Sequence, residues 1–135
     1  MTPKPETAGV NILSVDGNTT VGEALALLFE NAGYAIVRAC DGERAWKLIS
    51  ADADRFSVLI TDHVLPGLSG LELVQRVRPL PFAGRIIVYS GVLSAKDRRA
   101  YAALVDALIV KPVDAEKLLG VVKALHGNFP TDQRP

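Results

Sequence analysis

The sequence predicts a doubly wound α/β sandwich: a five-stranded parallel sheet in the order 2-1-3-4-5, held between two layers of helices. Three observations carry that prediction. Four short runs, VNILSV at 10–15, SVLIT at 57–61, RIIVYS at 85–90 and ALIV at 107–110, are nearly unbroken in Val, Ile and Leu, the pattern of strands covered on both faces. Segments of helical period separate them. The order is strand then helix, five times, which right-handed crossovers wind into this architecture with its ligand crevice beyond strands 1 and 3.

Each element has its own signal. After the first strand, Val21, Leu25, Leu28, Phe29 and Ala32 recur at helical spacing, Thr20 and Glu23 have the spacing of a capping box, and Asn31 to Gly33 close the helix. YAIVRA, 34–39, is a weaker apolar run that fits a strand nearer the sheet edge. The second helix, Gly42 to about Ser50, places Ala45, Trp46 and Ile49 on one side, with Trp46 read as core. The third opens with Ser69 and Glu72, again at capping-box spacing, and continues through Leu71, Val74 and Val77 until Pro79 blocks it. The fourth, Ser94 to about Ala103, is polar and Ala-rich, so it is expected to be weakly buried and open to a partner. The last, Asp114 to Leu125, carries Leu118, Val121, Val122 and Leu125 on one stripe.

With 135 residues the chain fits one domain and is too short for two ordinary ones. The pattern places that domain at 10–125, between a flexible start, 1–9, and a polar, proline-containing tail, 126–135, read as a frayed end or a linker stub. Fifteen basic and fifteen acidic residues cancel, which removes the basic footprint of a nucleic-acid or anionic-membrane binder. The apolar runs fall far short of the ~20 residues of a membrane span, and the first nine residues lack the apolar segment of a signal peptide. A soluble cytoplasmic protein is expected. Cys40 is the single cysteine, so an internal disulfide and a cysteine-rich zinc site are excluded, and the residue is read as a small buried apolar side chain.

The residues leaving the strands carry the chemistry. Strand 1 runs into Asp16, strand 3 into Asp62, strand 4 ends in Ser90 and strand 5 runs into Lys111. Neighbouring strands lie about 4.8 Å apart, so two acids, a hydroxyl and an ammonium converge on one crevice. That is the outline of a phosphoryl site with a hard metal ion. Magnesium takes oxygen ligands, often one or two carboxylates completed by water and phosphate. A carboxylate can also act as nucleophile and become an aspartyl phosphate while cations neutralise the transferring group. Ser90 can donate to a phosphoryl oxygen, Gly91 leaves room beside it, and Pro112 would fix the chain after Lys111.

These residues resemble the receiver domain of bacterial two-component response regulators, from about Val10 to Leu125. LITDHVLPGLSGLEL is similar to the family's phosphoacceptor strand, its Pro-Gly loop and the Gly that opens its third helix. IIVYSG resembles the strand ending in a Thr or Ser switch, VKP the lysine and proline, and AGYAIVRACDGERAW the passage through the second strand into the second helix. The resemblance implies a flavodoxin-like (βα)5 fold. It implies Asp62 as phosphoacceptor, Asp16, Asp62 and the Val64 backbone carbonyl as magnesium ligands, Ser90 as switch hydroxyl, Lys111 as phosphate partner, and a cis Lys111-Pro112 bond. A sensor histidine kinase or phosphotransfer protein would supply the phosphoryl group, and a protein target or a separate output domain would receive the signal. The chain would then be no enzyme beyond phosphorylating and dephosphorylating itself.

Three departures bear on that reading. The family usually has two adjacent acids after strand 1, and here the second place is Gly17, so magnesium is expected to bind weakly. The aromatic that usually lies three residues before the lysine is Leu108, with Tyr101 or Tyr89 as substitutes that are more simply packing residues. The Gly-Ala pair common upstream is Leu104 and Val105. Val64 and Val92 are apolar and cannot orient an attacking water, so any acyl phosphate should hydrolyse slowly. His63, as a strand residue, should point away from Asp62, and His126 falls in the tail. Three readings compete: a phosphorylation switch; a pseudo-receiver that keeps the fold as an interaction module without turnover; and a small independent enzyme of the same fold, disfavoured by the lack of a lid or glycine-rich phosphate loop. Pairing as a homodimer through the fourth and fifth helices is left open.

Overall fold

The computed structural model describes residues 11–127 apart from 83, 92 and 112–114, with 126 and 127 described by backbone alone. The end segments, Val92, the Lys111-Pro112 peptide and the Asp114 start of the last helix lie outside the described residues. Five parallel strands, β1 (Asn11–Val15), β2 (Ala35–Ala39), β3 (Val58–Thr61), β4 (Arg85–Ser90) and β5 (Ala107–Val110), pair in the order β2-β1-β3-β4-β5. Between and after them run α1 (Thr19–Asn31), α2 (Gly42–Ala51), α3 (Gly70–Val77), α4 (Ala95–Tyr101) and α5 (Ala115–Gly127), with a single 3-10 turn, Ala53–Arg55, ahead of β3. This is the expected flavodoxin-like sandwich.

The sheet is covered on both faces because its strands are apolar on both. Alternate residues feed two separate cores. Leu13, Val15, Leu59, Ile86 and Val88 face α2, α3 and α4, where Ala45, Ile49, Leu73, Val74, Val77 and Tyr101 meet them. Ile12, Val58, Ile60, Ile87 and Tyr89 face α1 and α5, where Leu25, Phe29, Leu118 and Val122 close the other side. Strand β2 lies at the sheet edge as its weaker pattern suggested, and Ala35 and Arg38 there are exposed.

Helix starts follow local hydrogen-bonding chemistry. Ser69 and Glu72 form the expected capping box on α3, and Ser94 and Asp97 form a second on α4. The Ser69 backbone N–H holds the Glu72 carboxyl below its ordinary range, and the Ser94 backbone N–H does the same for Asp97. At α1 the expectation fails: the helix begins at Thr19, its cap is Asn18, whose side chain accepts from the Val21 N–H, and Thr20 is already inside the first turn. Asn satisfies the first free N–H groups at least as well as Thr, and Asp16 Oδ1 fixes it by accepting the Asn18 N–H at 2.7 Å.

Two side-chain expectations are also corrected. Cys40 is exposed rather than buried, because the alternation along β2 turns Ala39 inward and sends its successor outward. Trp46 is only half-buried at the rim of the core, with the Arg76 guanidinium 5.7 Å from its ring centre.

Gly70 shows how tightly α3 is set against the end of β3. A Cβ there would collide with the Asp62 carbonyl and the His63 backbone, while the Gly70 N–H donates to the His63 carbonyl at 2.9 Å. Gly70→Ala is therefore expected to lower stability by about 1–3 kcal/mol, read as a reduced urea midpoint with an unchanged denaturant slope.

Candidate functional site

The site is built where the sheet's hydrogen-bond ladder overruns its strands. The Asp16 N–H donates to the Ala39 carbonyl at 3.2 Å, the Asp62 N–H to the Val15 carbonyl at 3.0 Å, and the Lys111 N–H to the Ser90 carbonyl at 2.9 Å. Each residue that leaves a strand is thus still fixed by its neighbour, and backbone pairing alone brings the four expected side chains to one edge.

Lys111 Nζ lies 3.3 Å from Asp62 Oδ2 and 3.6 Å from Asp16 Oδ2. One ammonium therefore bridges two carboxylates, and its other side faces the Tyr89 ring, 5.0 Å from the centre. The side chains are 25 %, 15 % and 8 % exposed for Lys111, Asp62 and Asp16, so the trio is screened from bulk water while Asp62 stays reachable. Asp62 Oδ1 accepts the His63 backbone N–H at 2.7 Å, which fixes the carboxylate plane. Ser90 Oγ is buried and has no hydrogen-bond partner among the described residues. Val64 is 65 % exposed at the rim.

Among the described residues no group of three or more His, Cys, Asp or Glu side chains is placed to hold a metal ion. The two carboxylates of Asp16 and Asp62 do suit an ion that keeps most of its water, and Asp16 has one oxygen already engaged by the Asn18 N–H. The two acids fit such an ion. The missing acid is not a matter of space: a Cβ on Gly17 would meet nothing closer than Pro66 Cδ at 3.5 Å.

Residues 12–123 match the family profile of the response regulator receiver domain. The chain belongs to that family. It is 28 % identical over 125 residues to the response regulator RppA of Synechocystis sp., covering 92 % of this chain and 53 % of RppA. This receiver therefore spans about half the length of that curated relative. Among solved structures it is similar to a response regulator receiver protein from Pseudomonas putida, with 34 % identity, a TM-score of 0.79 and coverage of 87 % of this chain and 98 % of that one. It is also similar to a CheY-like receiver domain from Methanospirillum hungatei, with 25 % identity, a TM-score of 0.83 and coverage of 92 % and 98 %. No helix among the described residues is long and apolar enough to cross a membrane.

Sequence reasoning missed one cluster in this receiver. His63 lies beyond the end of β3, and its ring turns to α4: Nδ1 is 2.7 Å from the Tyr101 hydroxyl and Nε2 is 3.3 Å from Asp97 Oδ2. Tyr101 is fully buried, and burial, with the nearby Asp97 and Asp62 charges, pushes its phenol well above the ordinary range, so it stays a proton donor. Tyr101 is a packing residue, as expected, that also makes a polar contact. Leu108, in place of the family's aromatic, is half-buried against the same core. On the other side of Asp16 a recess of about 280 Å³ opens between α1 and β2, lined in part by Thr19, Arg38, Cys40 and Arg44.

The unpaired Ser90 hydroxyl yields a test of site against stability. A buried hydroxyl without a partner carries an uncompensated desolvation cost. Ser90→Ala is expected to raise the unfolding free energy by about 1 kcal/mol in urea titration.

Proposed function

We propose that this receiver is a phosphorylation-dependent switch in which Asp62 accepts a phosphoryl group from a sensor histidine kinase or a phosphotransfer protein. The observation that carries this reading is the Lys111 ammonium held between Asp62 and Asp16, beside the unpaired hydroxyl of Ser90. An oxygen of Asp62 forms the new P–O bond as the P–N bond to the donor imidazole breaks. The imidazole leaves with the electron pair and takes up a proton. Lys111 neutralises charge on the transferring group, and Ser90 supplies a hydrogen bond to one of its oxygens.

Asp16, Asp62 and the Val64 carbonyl would hold magnesium, whose chemistry when bound is to neutralise phosphoryl charge. The chain catalyses no reaction beyond that on its own aspartate. Signal leaves through a protein target or an attached output domain, in a cytoplasmic setting, with no contact to nucleic acid by this domain.

A second reading, a pseudo-receiver that binds partners without phosphate turnover, is favoured by Gly17, which leaves the metal site one carboxylate short. Intact-mass spectrometry after incubation with magnesium and acetyl phosphate separates the two. The switch predicts one phosphoryl adduct on the wild type and none on Asp62→Asn; a folded wild type without an adduct supports the pseudo-receiver.

Two variants refine the switch. Gly17→Asp adds a carboxylate where there is room for it, and is expected to tighten magnesium binding roughly tenfold by calorimetric titration. Val64→Asn places a polar group that can orient water two residues beyond the phosphoacceptor. Its phosphoryl adduct should decay several-fold faster than the wild type's in a mass-spectrometric time course.

A further inference from the structure

Helix α4 is held to this domain in an unusual way. It is seven residues long, and Tyr101 is its one buried residue. Among the described residues, its side-chain polar ties to the rest of the domain converge on a single ring. His63 meets Asp97 in the first turn and Tyr101 in the last, two positions four residues apart and therefore on one helical face. The His63 and Tyr101 rings pack edge to face, with centres 5.6 Å apart and planes at 79°.

The proton positions follow from the partners. The Asp97 carboxylate can only accept, so His63 Nε2–H donates to it, and in the neutral ring Nδ1 then accepts the Tyr101 hydroxyl proton. Asp97 Oδ2 also accepts the Ser94 backbone N–H at 3.2 Å, so the same oxygen caps α4 and receives His63.

The other end of this chain of contacts is Asp62. The His63 backbone N–H donates to Asp62 Oδ1 at 2.7 Å. With a free carboxylate this is a charge-assisted bond, of the strong class. Once either oxygen carries a phosphoryl group, Oδ1 is the bridging oxygen of an acyl phosphate or a neutral carbonyl, a weaker acceptor than the carboxylate. The hold on the His63 backbone is therefore weakened at one end while its ring stays hydrogen-bonded to α4 at the other. Leu108 has no polar atom in its side chain and cannot supply such a link.

We propose that His63 is a positioning residue that transmits the state of Asp62 to α4 through Tyr101 and Asp97, in the role that an aromatic at position 108 would otherwise serve. The proposal rests on the reading of Asp62 as phosphoacceptor. It makes α4, whose Lys96, Arg98 and Arg99 are exposed, the element whose mobility changes with phosphorylation.

The test is amide hydrogen exchange of 93–104, followed by mass spectrometry with and without acetyl phosphate and magnesium, with the adduct on each sample measured first by intact mass. The variants are Tyr101→Phe, which removes only the hydroxyl, His63→Phe, which keeps a ring without its nitrogens, and the double variant. Wild type is expected to change its α4 exchange about three- to tenfold on phosphorylation, the range a single hydrogen bond spans. Tyr101→Phe should take up the adduct and lose that response, His63→Phe should lose it equally, and the double variant should lose no more than either single one. Variants that are looser throughout but respond to phosphorylation as the wild type does would show a merely structural contact and overturn the proposal. A wild type with no adduct would overturn the phosphoacceptor reading itself and this inference with it, an outcome the mass measurement separates from the other.

Discussion

The site depends on a backbone interaction before it depends on any side chain. In a parallel sheet the hydrogen bonds run evenly along the strands, and here the ladder continues one residue past them: Asp16 onto Ala39, Asp62 onto Val15, Lys111 onto Ser90. Those bonds decide at which edge Asp16, Asp62, Ser90 and Lys111 meet. Because all five strands run the same way, every one delivers its last residue to the same edge, and right-handed crossovers keep the helices on the two faces and off it. The acids and the lysine need no loop to fold around a ligand.

Given that frame, the electrostatics follow. Two carboxylates side by side repel, and Lys111 between them makes the pair tolerable in a half-screened crevice. Ser90, placed by β4 at the same level, is left with a buried hydroxyl and no protein partner among the described residues. Such a group costs stability in the folded protein; in the proposed switch it would donate to a phosphoryl oxygen. Gly17 works in the other direction: there is room for a side chain, and the chain has none. In the switch proposed above, the residues that would handle the phosphoryl group are present, while the metal site lacks the second acid at Gly17.

The contacts around α4 show a different economy. A short polar helix buries too little apolar surface to be held rigidly, so its placement rests on Tyr101 and on polar contacts to His63. Polar contacts are directional and can be made or released by a change of charge, which close apolar packing cannot. That places this short helix in contact with His63, the residue next to Asp62.

The sequence by itself determined the fold class, the strand order, the Ser69–Glu72 capping box of α3, and the arrival of Asp16, Asp62, Ser90 and Lys111 at the same ends of their strands. All of these are consequences of period and chain order: apolar runs of strand length, strand-helix alternation, and a residue's place at the end of its strand. Tertiary structure decided the rest. The α1 cap moved from Thr20 to Asn18 because Asp16, fixed by the sheet, holds the Asn18 backbone. Cys40 faced outward because the pleat turned Ala39 inward. His63 and Tyr101 lie 38 positions apart in the chain, with α3, β4 and the rest of α4 between them, so no local pattern could pair them. Their contact exists because the α3–α4 side of the sheet closes over Tyr101, and that packing is settled only once all the strands are in place.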